Sequence, residues 1–235
     1  MDPRDFLATM LADERLRRAA SQAARRAKNL LAPAASFGVL RFARWRLADS
    51  ASLPAPDGFA GRELRADELA GAARAFSRHP GSFHRRARLG DRCFAAFLGE
   101  RIVNLRWAAT RPIEVPELDL FVCLPQGEVY FYAAMTLPAF QGRRAAAVTR
   151  RAMEGALAAE GHERGCAYVS LDNFASVRTR HPFHEVLFDL GYLRLRGGRA
   201  HVFGEVGPPV YRESDIPSPL PAPLPDAAPP QSRPG

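Results

Sequence analysis

Along the chain, short runs of alternating or β-branched apolar residues are interleaved with stretches whose apolar positions recur every three or four residues, which predicts a mixed α/β domain. FGVLRFARWRL at 37–47 reads as a strand, and ELRADELAGAARAFSRH at 63–79 as a helix with Leu69, Ala72, Ala73 and Phe76 on its apolar side. RCFAAFLGERIVNLRWAAT reads as a hairpin turning at Gly99 and Glu100, because two β-rich runs flank one polar turn. LFVCL at 120–124 adds a short strand, and EVYFYAAMT at 128–136 carries the strongest strand signal of all, ended by Leu137 and Pro138. A helix is expected from Gly142 to Glu160, with Ala145, Val148, Ala152, Ala156 and Ala159 on one face and Gly161 as its stop. CAYVSLD at 166–172 reads as a strand and PFHEVLFDLG at 182–191 as a short helix, with Pro182 in its first turn and Gly191 at its end. YLRLRGGRAHVFGEV at 192–206 closes the pattern as a hairpin around Gly197 and Gly198.

The two ends differ from this middle. Residues 4–31 read as a basic helix whose run from Arg15 to Lys28 holds six positive charges, Arg15, Arg17, Arg18, Arg25, Arg26 and Lys28, and no negative one, against an apolar set including Phe6, Leu7, Met10, Leu11, Leu16, Leu30 and Leu31. Such a helix either packs on the domain by its apolar edge or makes weak contact with an anionic membrane surface or with nucleic acid. Residues 207–235 hold ten of the twenty prolines and few large apolar side chains, which predicts a disordered proline-rich tail. The expected organisation is therefore a basic extension at 1–35, one domain at 36–206 and a tail at 207–235.

With 47% hydrophobic and 25% charged residues the composition is that of a globular domain, which excludes collagen, coiled coil and a wholly disordered chain. No run reaches the roughly 18 apolar residues of a membrane-spanning helix, and the N-terminus lacks the charge-then-apolar order of a secretion signal, so a cytoplasmic location is expected. Cys93, Cys123 and Cys166 are widely spaced without a CxxC pair and read as buried thiols. The net charge of +8 attracts phosphate-rich ligands and nucleic acid alike, but no aromatic stacking platform accompanies the basic residues, so nucleic acid is not the expected partner.

A strand ending at Met135 and Thr136, a short turn and the small-residue helix start QGRRAA at 141–146 place free backbone amides at a helix N-terminus, an anion site suited to phosphates. From here the sequence resembles the GNAT superfamily of N-acetyltransferases. LPAFQGRRAAAVTRRAMEGALAAEG resembles that family's acyl-CoA signature, YVSLDNFAS its fifth strand with an asparagine, and LFDLGY its closing leucine-glycine-aromatic. The resemblance spans about 37–206, with specific motifs between about 125 and 195. It implies a GNAT-like α+β fold, a mostly antiparallel mixed sheet flanked by helices, and an N-acyltransferase that moves an acetyl group from acetyl-CoA, or another acyl group from its CoA thioester, to an amine by direct attack. The acceptor is a small-molecule or protein amine. The alternatives are a degenerate GNAT fold that binds acyl-CoA or a partner without catalysis, and a basic protein that binds nucleic acid or a membrane surface.

Residue by residue, the resemblance implies that backbone groups of Met135 and Thr136 hold the pantetheine, and that Gln141, Gly142, Arg143, Arg144, Ala145 and Ala146 receive the pyrophosphate. Asn173 and Ser176 lie on the cofactor arm. Arg144 stands where the family has its first signature glycine, and Leu187 where many members have the tyrosine that protonates the departing thiolate. Glu128 is the acid on the signature strand, sharing a face with Tyr130 and Tyr132, and these three are the catalytic candidates there. Glu117 and Asp119 are alternative bases, and His184 is the candidate proton donor near the missing tyrosine. His181 and His184 have HxxH spacing, but Pro182 between them and the want of further ligands speak against a metal.

Overall fold

A computed structural model describes residues 34–52, 56–77, 81–173 and 185–216 of the chain. Among the described residues eleven strands form two sheets: β1 (Ala35–Arg46), β2 (Phe59–Glu63), β3 (Arg92–Leu98), β4 (Arg101–Ala109), β7 (Glu128–Thr136), β8 (Arg164–Ser170), β9 (Glu185–Leu195) and β10 (Ala200–Phe203) make the large one. Its order is β10-β9-β1-β8-β7-β4-β3-β2, and every neighbouring pair is antiparallel except β7 with β8. The small sheet is β11 (Val210–Tyr211), β6 (Leu120–Val122) and β5 (Ile113–Val115). The helices are α1 (Leu69–Phe76), α2 (Gly81–Arg88) and α3 (Ala145–Ala159).

The large sheet is the middle layer. On one face α3 buries Val148, Met153 and Leu157 against Phe94, Val103, Val129 and Phe131. Close approach is secured by glycine at two places: a Cβ at Gly61 would meet the Val148 carbonyl at 2.8 Å, and one at Gly165 would meet the Phe131 ring at 2.3 Å. A polar clamp fixes the same helix. The buried Glu154 carboxylate accepts from the Trp45 indole and from the Arg150 guanidinium, each at 2.8 Å, and Arg150 lies over the Trp45 ring. Desolvation raises the Glu154 pKa in spite of these donors. The opposite face is covered by α1 and α2 over β3 and β4, and by the small sheet over β1, β8 and β9.

The hairpin at Gly99 and Glu100 and the strand at 128–136 form as the sequence predicts, and the expected helix at 142–160 runs from Ala145 to Ala159. Three expectations change. Of the helix expected at 182–191, the described part is β9: Leu190 and Tyr192 point into the core while the strand pairs with β1 along almost its whole length. The helix expected at 63–79 is shortened because Glu63 ends β2 and a 3-10 turn at Ala66–Glu68 precedes α1. The tail expected from 207 begins no earlier than 217, because Val210 is buried and pairs with Val122, and the Cys123 amide donates to the Pro209 carbonyl. The basic helix expected at 4–31 lies outside the described residues. No helix among the described residues is long and apolar enough to cross a membrane.

Candidate active site

The parallel pair β7 and β8 is joined only at its start, where Glu128, Val129 and Tyr130 face Arg164, Gly165 and Cys166. Beyond that point the strands part. On its far edge β7 stays paired with β4 out to Thr136, and β8 with β1 out to Ser170, so the sheet is split by a wedge between two intact halves. Both inner edges carry backbone donors and acceptors without a strand partner, the kind of edge that binds an extended chain bearing amides.

A bulge opens the wedge. Ala133 has φ 48° and the β4–β7 register shifts beside it, so one extra residue of β7 is taken up there. The buried Asn104 side chain fixes the strand just past the bulge, its amide donating to the Met135 carbonyl at 2.8 Å and to Thr136 Oγ1 at 2.7 Å. The Met135 carbonyl is therefore held from the β4 side.

After β7 the chain makes a 3-10 turn at Pro138–Phe140 and reaches α3 through Gly142 at φ 77° and Arg144 at φ 60°, both left-handed. The Arg143 amide donates to the Phe140 carbonyl, and that of Ala147 to the Arg144 carbonyl. The amides of Gly142, Arg144, Ala145 and Ala146 have no backbone partner among the described residues. Arg101 and Arg143 stack on the Phe140 ring, and Arg144 is exposed beside them. Four free amides at the start of a 15-residue helix, with the Arg101 and Arg143 guanidiniums on the neighbouring Phe140 ring and Arg144 exposed, suit a diphosphate in charge and in number of donors. Arg144 occupies the left-handed region that a glycine enters without strain.

Three tyrosines form a row across β7 and β8 on the sheet face opposite α3. Tyr132 and Tyr130 stack with ring centres 6.0 Å apart, and Tyr168 of β8 stands 6.4 Å from Tyr130. Each end of the row meets an acid. Tyr132 donates to the buried Asp91, which also accepts two hydrogen bonds from Arg111 at 2.7 and 2.8 Å, while Arg86 lies over the Tyr132 ring. Tyr168 donates to Glu117 Oε2 at 3.0 Å. Burial raises all three phenol pKa values, and acceptance of the hydrogen bond by Asp91 adds to the rise at Tyr132.

The predicted site residues are only partly brought together. Met135, Thr136 and the turn from Gln141 to Ala146 lie along one wall and its end, and Asn173, whose amide donates to the Ser170 carbonyl, lies just past β8. Tyr132 sits half-buried at the split, whereas Tyr130 is wholly buried. Glu128 lies at the closed end of the strand pair with Arg44 at 3.5 Å and Arg164 at 3.8 Å, an arrangement that fits a structural ion pair. Asp119 pairs with Arg194 and accepts from the Ala200 amide, away from the wedge. Ser176, His181 and His184 lie outside the described residues. The pairings Glu117–Tyr168 and Asp91–Tyr132 leave no local signal in the sequence, since their partners are 51 and 41 positions apart. The cysteines are buried free thiols, and burial pushes Cys93 and Cys166 up to about 12, which removes them as nucleophiles.

The split parallel pair and the left-handed turn into α3 form a GNAT-like fold. No family model matches the sequence. No curated protein matches it either. Among solved structures, a Staphylococcus epidermidis protein of unknown function is similar over 78% of this chain and 67% of its own, with 9% identity and a TM-score of 0.50. A GCN5-related N-acetyltransferase from Kribbella flavida is similar over 73% of this chain and 64% of its own, with 12% identity and a TM-score of 0.48. AAC(6')-Iy in complex with the bisubstrate analog CoA-S-monomethyl-acetylneamine is similar over 55% of this chain and 95% of its own, with 16% identity and a TM-score of 0.39.

Proposed function

We propose that the protein is an acyl-CoA-dependent N-acyltransferase, most simply an acetyltransferase acting on an amine. The observation that carries this reading is the continuity of the wedge between β7 and β8 with the free amides and guanidiniums at the start of α3. One ligand with a diphosphate at one end and an amide-bearing arm at the other matches both parts.

When bound, acyl-CoA supplies the thioester whose carbonyl carbon the amine attacks. The rest falls to the chain. The amides of Gly142, Arg144, Ala145 and Ala146 hold the diphosphate with Arg143 and Arg144, while Gln141 lies beside them. The unpaired edge of β7 around Met135 and Thr136 holds the arm, Asn173 belongs to the opposite wall, and Ser176 is assigned to the arm by the sequence resemblance alone. The attacking amine must shed a proton to use its lone pair. Glu117 beside Tyr168 is placed to take it up, directly or through a water, at an oxygen that already orients the phenol. Tyr132 lines the acceptor side. Carbon–nitrogen bond formation expels the sulfur, which leaves as a thiolate and takes up a proton. His184, from the sequence reading, is the proposed donor for that proton. Glu128 and Tyr130, also catalytic candidates in the sequence, shape the closed end of the wedge.

Calorimetric titration of the full chain with acetyl-CoA and with CoA tests the reading, followed by a panel of amines assayed for thiol release. One-to-one binding with amine-dependent thiol release supports it, and Glu117→Gln then lowers kcat more than it raises KM. Binding without turnover on any amine leaves a CoA-binding protein. No binding overturns the proposal.

A further inference from the structure

The face of the large sheet that α3 covers is bare at its other end. Val39, Leu193, Leu195 and Phe203 stand exposed there, Leu195 and Phe203 each at 58%. Strand pairing makes them one patch. Phe37 faces Leu193, Val39 faces Gly191, and Phe203 lies beside Gly191, where an added Cβ would touch its side chain at 3.5 Å. The neighbouring positions Leu40, Phe42, Leu190 and Tyr192 point to the opposite, packed face. Side chains of alternate positions thus leave a largely apolar surface across three strands, with His201 beside Leu193 and the Arg41–Asp189 ion pair as its boundary, and with nothing described upon it.

We propose that residues 16–31 of the chain itself dock on this patch as a helix. The segment enters where it is needed: the Ala34 carbonyl accepts from the Arg196 amide at 2.8 Å, so residues 1–33 leave the sheet beside Leu195, at one end of the patch. Its pattern supplies a matching face. Leu16, Ala20, Ala23, Ala27 and Leu30 recur at intervals of four and three, while Arg15, Arg17, Arg18, Arg25, Arg26 and Lys28 all fall about 80° or more from the centre of that stripe at 100° per residue. Pro33 ends such a helix next to the sheet. Length agrees as well: sixteen helical residues span about 24 Å, and the seven residues of β1 from Ala35 to Arg41 span about 23 Å. A predominantly alanine stripe lets the helix axis come close to the strands. Residues 174–184, also outside the description, number eleven and rejoin the sheet at Glu185, at the far end of β9 from Leu195. The basic segment on this reading is a fixed part of the domain with its cations turned to solvent.

Hydrogen exchange on the full chain, followed by mass spectrometry at two protein concentrations, tests this. Amides of 20–31 are expected to exchange at least tenfold more slowly than an isolated peptide of the same sequence. Leu195→Asp with Phe203→Asp abolishes that protection while the amides of 128–136 keep theirs, and Ala23→Arg does the same from the helix side. Unprotected amides at 20–31 overturn the proposal. So does protection indifferent to these substitutions, protection that rises with protein concentration, which marks a second copy as the occupant, or protection seen only with vesicles of anionic lipid.

Discussion

Arg144 offers a perturbation in which backbone and charge separate cleanly. It is exposed, its side chain makes no hydrogen bond among the described residues, and it sits at φ 60°, ψ 13° as the residue before α3. Arg144→Ala and Arg144→Gly both remove the guanidinium, but only alanine keeps a Cβ in the left-handed region. That Cβ costs about 1–2 kcal/mol. Glycine returns roughly 0.4–1 kcal/mol through its greater freedom in the unfolded chain. The glycine variant is therefore expected to be more stable than the alanine variant by about 1 kcal/mol, a difference of about 2–4 °C in Tm for a chain of this size. The alanine variant itself should match the parent, whose left-handed cost it shares. Affinity for CoA behaves differently. If the guanidinium meets the diphosphate, both variants lose one charge-assisted hydrogen bond of about 1.5–3 kcal/mol, a fall of about ten- to a hundredfold that is equal in the two. Thermal melting and titration calorimetry on the same three proteins give both readouts. A glycine variant no more stable than the alanine variant refutes the strain argument, and unchanged affinity in both refutes the diphosphate contact.

Gly165→Ala would place a Cβ at 2.3 Å from the Phe131 ring, so it should lower the urea midpoint by an amount equivalent to about 1–3 kcal/mol, with partial recovery when Phe131→Leu is added. The raised phenol pKa values of Tyr130, Tyr132 and Tyr168 predict an alkaline effect. Above about pH 10 the unfolded chain sheds phenolic protons that the folded chain keeps, so stability must fall with pH, by up to about 1.4 kcal/mol per pH unit for each tyrosine. Urea midpoints between pH 9 and 11 test it: Tyr132→Phe should flatten the slope, and an unaltered slope would contradict the Tyr132 assignment.

What the sequence could show depended on how local its cause was. β7 is read to the residue at 128–136 because its aromatic and β-branched run is long and bounded by Leu137 and Pro138. At 182–191 the same reasoning fails for a physical reason: Val186, Leu187 and Leu190 with flanking proline and glycine satisfy helical spacing. What makes the described part a strand is the edge of β1, about 150 positions earlier, where Leu40 meets Leu190 and Phe42 meets Phe188. Proline content likewise hid Val210, which takes its place from Val122 across the sheet and not from its neighbours. The anion turn was legible, since a strand end, a glycine and small helical residues announce it. The left-handed backbone of Arg144 and the bulge at Ala133 were not, because neither position is a glycine. The acids at the tyrosine row were named or missed by chance of position, as only folding brings Glu117 to Tyr168 and Asp91 to Tyr132.

The place of β1 has a consequence for biosynthesis. It is the first of the described strands to leave a ribosome, yet it lies between β8 and β9, with Leu40 opposite Ser170 and Leu190. While the next hundred or so residues emerge, β2, β3, β4 and β7 can pair with near neighbours and receive α3. Throughout that time β1 waits with both edges open and Leu40 and Phe42 uncovered, an invitation to pair with another nascent chain. Only when residue 195 is free can β8, β1 and β9 lock together. The wedge between β7 and β8 therefore comes into being in the last act of folding, and a chain halted at Gly161 carries the anion turn without the second wall that would make it a site.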